Sequence, residues 1–149
     1  MHTIFVIGRV LFVLIFIVSG AQKLLDIPGT AAMIAPAITL PDAMSDITTQ
    51  IQEATGQPLP QLMAILAGIV ELVGGLLIAF NIGTRGAALV LALFTIAATF
   101  YFHDFWNMAG EARANNIVHA MKNITMIGGL LVFFVLGSWR PLTRSERVV

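Results

Sequence analysis

A glutamate stands in the middle of a long apolar segment of the chain. Glu71 lies within the run from Leu62 to Phe80, which is long enough to cross a lipid bilayer. Insertion of an ionisable side chain at that depth costs about 3 kcal/mol of free energy on scales for comparable residues. Such a residue is therefore expected to pair with another group or to have a function. Glu71 is therefore the first candidate for chemistry, as a group that takes or gives a proton.

Polar residues also recur at helical spacing on the other three apolar segments, and a bundle of helices most simply points such stripes inward. These residues are Arg9 and Lys23 on the first segment, Thr95, Thr99 and His103 on the third, and His119, Lys122 and Asn123 on the fourth. Together with the glutamate they supply cations, hydrogen-bond donors and groups that can transfer protons.

Depth along each helix limits which of these residues can reach the glutamate. At 1.5 Å per residue, Glu71 lies about 13 Å below the outer end of its segment, Lys122 about 7 Å and Arg9 about 20 Å. The long side chains of Arg9 and Lys122 span these differences, whereas Lys23 and His103 lie at the outer rim. We therefore predict a buried pair between Glu71 and Arg9 or Lys122. Such a pair either takes part in chemistry or simply locks the helices in register.

A separate outer cluster is predicted for His103, His119 and Lys23. Its imidazole and ammonium groups favour proton relay or anion binding. Two histidines at this spacing are only a weak indication of a haem or metal site, and the chain has no cysteine. The sequence therefore predicts no metal, haem or flavin.

Composition places these groups in a membrane protein. The chain is 58% hydrophobic and 11% charged, with a mean hydropathy of +0.90, whereas soluble proteins carry about 25% charged residues. A formal net charge of zero argues against a nucleic-acid partner. A cleaved signal peptide is disfavoured, because Arg9 interrupts the first apolar segment and no basic region precedes it.

The four apolar segments predict an all-α polytopic membrane protein, a bundle of four transmembrane helices in a single domain of residues 1–149. We expect transmembrane helices at about 4–22, 62–80, 86–103 and 117–138, and an outer loop at 23–61. Within that loop Leu40, Met44, Ile47 and Ile51 recur at helical spacing and predict a short amphipathic helix over Asp42–Ala54. It is interpreted either as a lid or docking surface or as a packed connector.

The distribution of basic residues predicts the orientation. The cations of one side of the bundle are Arg9, Arg85, Arg140, Arg144 and Arg147, while the long loop on the other side is rich in acids. The positive-inside rule then puts both termini in the cytoplasm. A similarity between the segments that begin at Gly74-Gly75 and Gly128-Gly129 is explained either by an internal duplication or by convergence of glycine- and leucine-rich membrane sequence.

Several motifs taken together resemble one family. They are Ser19-Gly20-x-x-Lys23-Leu24 after Arg9, Glu71-x-x-Gly74-Gly75, Gly83-Thr84-Arg85, Phe102-His103-x-Phe105-Trp106, and Lys122-Asn123 before Gly128-Gly129-Leu130-Leu131. In this combination the chain resembles the DoxX family. The resemblance implies a small four-helix protein of the bacterial inner membrane. The DoxX family includes the DoxD-type subunit of a thiosulfate:quinone oxidoreductase and members that associate with redox-defence enzymes.

The resemblance favours a quinone-linked subunit of a membrane redox system as the leading hypothesis. Lys122, Asn123 and His119 would contact quinone oxygens, while Glu71 and His103 would transfer protons. Arg9 and Lys23 would complete a quinone or anion site. Electron chemistry then needs a bound quinone or a partner subunit.

Two alternatives remain open. The first is a non-catalytic scaffold that recruits a redox or metal-handling enzyme through residues 26–60. The second is a small-solute or proton-coupled transporter that uses a pair between Glu71 and Arg9. Besides the lipid bilayer, the expected partners are another protein, such as a redox enzyme subunit, and further copies of the chain.

Overall fold

The computed structural model describes residues 2–38 and 42–137, which are helical apart from short connections. The helices are α1 (His2–Leu25), α2 (Ile27–Ala37), α3 (Ser45–Thr55), α4 (Leu59–Ala79), α5 (Thr84–Phe102) and α6 (Gly110–Leu136). Short 3₁₀ turns cover Asp42–Met44 and Phe105–Asn107. Helices α1, α4, α5 and α6 are long and apolar enough to cross a membrane, so the predicted all-α polytopic class is confirmed.

The four long helices form a closed, antiparallel bundle. Helix α1 packs on α4, α4 on α5, and α5 on α6. Phe133 of α6 closes the ring against α1, with ring centroids 5.3 Å from Phe12 and 6.3 Å from Phe5. We call the end with the start of α1 and the α4–α5 connection the turn end, and the end with α2 and α3 the loop end.

The start of α1 and the end of α6 share the turn end, as the sequence analysis predicts. The side of the membrane that this end faces stays a prediction. Three of the cations on which this prediction is based lie outside the described residues: Arg140, Arg144 and Arg147.

The apolar core fills the half of the bundle nearer the turn end. Its most buried members, with 0–4% of their surface exposed, are Val13, Phe16, Ile78, Ala88, Leu91, Ala92 and Leu130. Glycines let α1 and α4 approach closely at its edge, because a Cβ on Gly20 would collide with the backbone of Leu72, and one on Gly75 with Ile17. Close approach of this kind is how membrane helices gain packing energy in the absence of a hydrophobic drive.

A tight turn joins α4 to α5. Asn81 and Gly83 adopt left-handed backbone conformations, with φ of 62° and 55°, and Thr84 is fully buried where α5 begins. The Thr84 Oγ1 hydroxyl donates to Asn81 Oδ1 over 3.2 Å. The short link makes α4 and α5 antiparallel neighbours, as predicted.

The predicted outer loop at 23–61 contains a helix that the sequence analysis missed. Asp26 caps α2, its Oδ1 accepting a hydrogen bond from the Gly29 N–H over 2.9 Å. The helix then buries Ala31 and Ile34 against Ala64 of α4. An aspartate followed by Ile-Pro is a recognisable helix start, so the signal was present in the sequence.

The predicted amphipathic helix is present as the 3₁₀ turn at 42–44 followed by α3. No described residue of α3 is buried, and Met44, Ile47 and Ile51 are 42%, 53% and 38% exposed. A packed connector would bury this apolar face, so the structure does not support that interpretation, and the lid or docking surface stays a prediction. Leu40, which the prediction also used, lies outside the described residues. At the other connection, α6 begins at Gly110 rather than near residue 117.

Candidate functional site

The glutamate of α4 forms a buried ion pair with a lysine of α1. Glu71 is 8% exposed, and Lys23 Nζ donates to its Oε2 over 2.6 Å. The same ammonium group donates to Ser19 Oγ over 2.6 Å. Ser19 lies one turn before Lys23 on the same face of α1. Both contacts are short, as expected of hydrogen bonds that involve an ionised group.

The predicted partners of Glu71, Arg9 or Lys122, are therefore wrong. The predicted depths placed Lys23 at the outer rim of the bundle, beyond the end of the first helix. In the structure α1 continues to Leu25. It also crosses α4 where Gly20 meets the Leu72 backbone. Lys23 is then three residues above the level of Leu72 and two residues, about 3 Å, above the level of Glu71, which is well within reach of its side chain.

Arg9 lies far from this pair, although it is also buried. It is separated from Lys23 by fourteen residues of α1, about 21 Å along the helix. Its guanidinium group lies 5.8 Å from the centre of the Phe5 ring, and its exposed fraction is 8%. Among the described residues, Arg9 Nε has no hydrogen-bond partner. Arg9 thus lies apart from Lys23 and Glu71, and the Glu71–Arg9 pair on which the transporter hypothesis depends is not formed in the described part of the chain.

A line of hydrogen bonds links α5 to α6. The Asn123 amide Nδ2 donates to Thr99 Oγ1 over 2.8 Å, and that hydroxyl donates to the Thr95 carbonyl over 2.6 Å. Thr95 is 4% exposed. The inward stripe predicted for these helices is confirmed for the three residues, but Lys122 is exposed and does not join it.

Two histidines stack where α5 and α6 meet at the loop end. The rings of His103 and His119 are parallel within 5°, with centroids 5.1 Å apart. His103 Nδ1 lies 3.0 Å from Asn116 Oδ1; an amide oxygen only accepts, so Nδ1 carries the proton in this contact. The predicted histidine cluster is confirmed, without Lys23. Asn116 was missed, although it lies one turn from His119 in a helix that begins earlier than predicted.

The histidines and the ion pair occupy different levels of the bundle. Gly74 of α4 faces Leu91 of α5, so this contact serves as a common reference height. Counted from it, His103 lies about 13 Å farther toward the loop end than Glu71, and Thr95 lies at nearly the same level as Glu71. The hydroxyls and the amide of α5 and α6 therefore lie at levels between the ion pair and the histidines.

An open apolar groove runs along α1 beside the ion pair. It has a volume of about 450 Å³ and is lined by Leu11, Leu14, Ile15, Val18, Ser19 and Gln22. Its two polar residues lie at the loop end of an otherwise apolar surface. Ser19 belongs both to this groove and to the hydrogen bonds of the ion pair. All six lining residues belong to α1 and its four apolar members are exposed, so the groove is a shallow part of the outer surface of one helix.

These features define a class: small integral membrane proteins of four antiparallel helices with polar groups inside the bundle. The DoxX family model matches residues 4–104, and the chain belongs to the DoxX family. It is 28% identical over 131 residues to inner membrane protein YphA of Escherichia coli (strain K12), a match that covers 88% of this chain and 81% of that protein.

A second relative has the same coverage and the same location. Inner membrane protein YqjF of Escherichia coli (strain K12) is 31% identical over 131 residues, covering 88% of this chain and 82% of that protein. No solved structure is significantly similar to the chain. The family resemblance and the membrane location predicted from the sequence are confirmed.

Proposed function

We propose that the chain is a membrane subunit of a redox system in the bacterial inner membrane, and that its loop-end half binds the headgroup of a quinone. The single observation that carries this proposal is the position of Ser19. Its hydroxyl bonds to the buried pair of Lys23 and Glu71 and also lines the apolar groove of α1. A polar head at Ser19 and an isoprenoid tail along the groove match both surfaces.

The ion pair has the chemistry that quinone turnover requires. Conversion of a quinone to a quinol takes two electrons and two protons, and the electrons come from a partner redox protein. The buried Glu71 carboxylate is the group that exchanges protons. Lys23 holds that carboxylate in place and offers its third N–H donor to an oxygen at the mouth of the groove.

Helices α5 and α6 supply the route by which protons reach the site. Thr95 lies near the level of Glu71, and Thr99 and Asn123 continue toward the stacked pair of His103 and His119. Hydroxyl and imidazole groups both donate and accept, so this line can relay protons once the Thr95 and Thr99 hydroxyls turn away from the α5 carbonyls to which they donate. In this proposal the histidines deliver protons instead of contacting the headgroup, because His103 lies about 13 Å beyond Glu71 along the bundle.

Direct binding tests the proposal. The purified chain in lipid nanodiscs is titrated with a ubiquinone analogue that carries a short isoprenoid tail. We expect binding by the native chain, and a loss of about tenfold or more in affinity in Lys23→Met and Glu71→Gln, since each removes one charged hydrogen-bonding partner. Leu14→Trp places a larger side chain in the groove and leaves the ion pair intact. It should weaken binding of the same analogue.

Thr125→Val is the matched control for these variants. The Thr125 hydroxyl is exposed on α6 and bonds to the Met121 carbonyl of its own helix over 3.0 Å, so its loss should not change binding. Quinone affinity that is the same in the native chain, Lys23→Met and Glu71→Gln would contradict the proposal.

A scaffold function is the second candidate, and α3 favours it. Its apolar residues Met44, Ile47 and Ile51 are exposed, and no lysine, arginine or histidine occurs between Lys23 and Arg85. Such an acidic amphipathic helix suits an apolar groove with a basic rim on a partner protein. Replacing Ile47 and Ile51 with serine should abolish recovery of a partner while quinone binding persists. Loss of both, or of neither, would argue against a separate scaffold surface.

A further inference from the structure

Arg9 is a buried cation that the proposed quinone site does not use. It is 8% exposed, and its Nε is buried without a partner among the described residues. Within residues 2–38 and 42–137 the ion pair found is that of Lys23 and Glu71. Burial of a guanidinium group without an anion is strongly unfavourable. The ring of Phe5 at 5.8 Å offers a cation–π contact, which compensates for only part of the lost hydration.

The surroundings of Arg9 at the turn end are cationic. Phe5, which Arg9 covers, packs on Phe133 of α6 with ring centroids 6.3 Å apart. One turn later, a Cβ on Gly137 would strike the side chain of Arg85. Both arginines therefore flank the last turn of α6. The acidic residues of the described helices lie elsewhere, at the loop end or, for Glu71, about 17 Å above Arg9 by helical rise.

The start of α5 adds to the positive potential at this end. Its N-cap is Gly83, which has no side chain to accept a hydrogen bond from the first N–H groups of the helix, and a helix N-terminus carries a partial positive charge. The C-termini of α4 and α6 lie at the same end and carry partial negative charge. Beyond the described residues the sequence continues with Arg140, Arg144 and Arg147 against the single acid Glu146. The helix ends largely offset one another, and the side-chain cations are what make the turn end complementary to an anion.

We infer that Arg9 is the ligand of a phosphate-bearing anion that enters the bundle at the turn end. The guanidinium fork matches two phosphate oxygens, and Arg9 Nε–H is one of its parallel donors. The anion is either the headgroup of a phospholipid in the adjacent leaflet or a free phosphate. This site is separate from the proposed quinone site, because about 21 Å of α1 divides Arg9 from Lys23.

The test measures the thermal stability of the full chain with and without each anion. One arm adds inorganic phosphate, at constant ionic strength, to protein in an uncharged detergent. The other compares nanodiscs of phosphatidylcholine with nanodiscs that also contain phosphatidylglycerol. A ligand that binds only the folded state raises the midpoint of unfolding. We expect the native chain to respond in one arm, and the responding arm identifies the source of the phosphate.

Variants assign the response to Arg9. Arg9→Gln should remove it, while Arg113→Gln, which deletes the same charge from an exposed position of α6, should retain it. Arg9→Lys keeps the charge but loses the fork, so it should need about tenfold more anion for the same shift; it also serves if Arg9→Gln does not fold. The inference is overturned if the native chain responds in neither arm, or if the Arg9 variants respond as the native chain does.

Discussion

The α1–α4 and α5–α6 contacts are both antiparallel helix pairs, but they are held together by different means. Helices α1 and α4 meet at a glycine crossing, where Gly20 lies against the Leu72 backbone, and they share a buried ion pair. At the loop end α5 and α6 are joined by an amide–hydroxyl hydrogen bond and by stacked imidazoles. The first contact is close and charged, whereas the second is neutral in its hydrogen bonds.

The difference shows how a bilayer shapes the choice of contacts. Lipid tails are as apolar as the helix surfaces, so helices associate through close packing and polar bonds. Close packing around Gly20 also excludes water, and electrostatic interactions are stronger in a low-dielectric site. The α1–α4 side therefore holds a strong ion pair of Lys23 and Glu71, while the α5–α6 side is joined by neutral hydrogen-bonding groups. The two halves are suited to different parts of the proposed chemistry.

The largest effect is expected from breaking the glycine crossing. In Gly20→Val the added side chain collides with the Leu72 backbone, and backbone cannot move aside as a side chain can. We expect a loss of about 3 kcal/mol in the free energy of unfolding, at the upper end for overpacked sites. Unfolding in bicelles by steric trapping measures it. Gly128→Ala is the control: a Cβ there meets nothing within 4 Å, so its effect should stay within about 0.5 kcal/mol.

The next effect concerns the ion pair and should be asymmetric. Lys23→Met leaves Glu71 charged at 8% exposure, and we expect a loss of about 2 kcal/mol, below the range for fully buried pairs because the lysine side chain is 26% exposed. Glu71→Leu should cost about 1 kcal/mol or less, since the free ammonium group can extend toward the loop end.

The double variant completes this cycle. Lys23→Met with Glu71→Leu removes both charges and should be more stable than Lys23→Met alone, because no unpaired ion remains inside the bundle. The same unfolding measurement in bicelles gives all three values. Equal costs for the two single variants would show that the two side chains are equally free to reach water, against the burial seen here.

The four membrane-spanning helices could be predicted from the sequence, but the pairing inside the bundle could not. The length and apolarity of the four segments determine that they span the membrane, whatever they pack against. The partner of Glu71 instead depends on where α1 crosses α4 and on how far α1 continues beyond residue 22. The crossing is set by the fit of Gly20 against α4, a tertiary contact that no local pattern reveals.

Other parts of the candidate site also differ in whether the sequence alone could predict them. The stripe of Thr95, Thr99 and Asn123 follows from helical periodicity, and so does the meeting of the two histidines. Ser19 lies one turn from Lys23, but its value as a link to the groove depends on the surface shape of α1. Helix α2 had a readable start at Asp26 and was missed because its short apolar sequence resembled a connection.

A smaller effect is expected at the α5–α6 hydrogen bond. Asn123→Ala removes the donor to Thr99, whose hydroxyl still donates to the Thr95 carbonyl. No buried donor is orphaned, and hydrogen bonds between membrane helices average about 0.6 kcal/mol, so we expect a loss of about that size. Thr125→Ala, which deletes an exposed hydroxyl bonded within its own helix, is the control. A loss as large as that of Lys23→Met would remove the contrast between the two helix pairs.

The smallest effect is expected at the stacked histidines. His119 is exposed, and an aromatic pair contributes about 0.5 kcal/mol at the low end of its range, so His119→Ala should cost at most this amount. His119→Phe retains a ring for stacking and should recover the stability, measured by the same unfolding in bicelles. It cannot relay a proton, however, so the proposed function predicts slower proton uptake at unchanged quinone affinity. Stability and proton uptake that fall together in both variants would instead assign the stack a purely structural role.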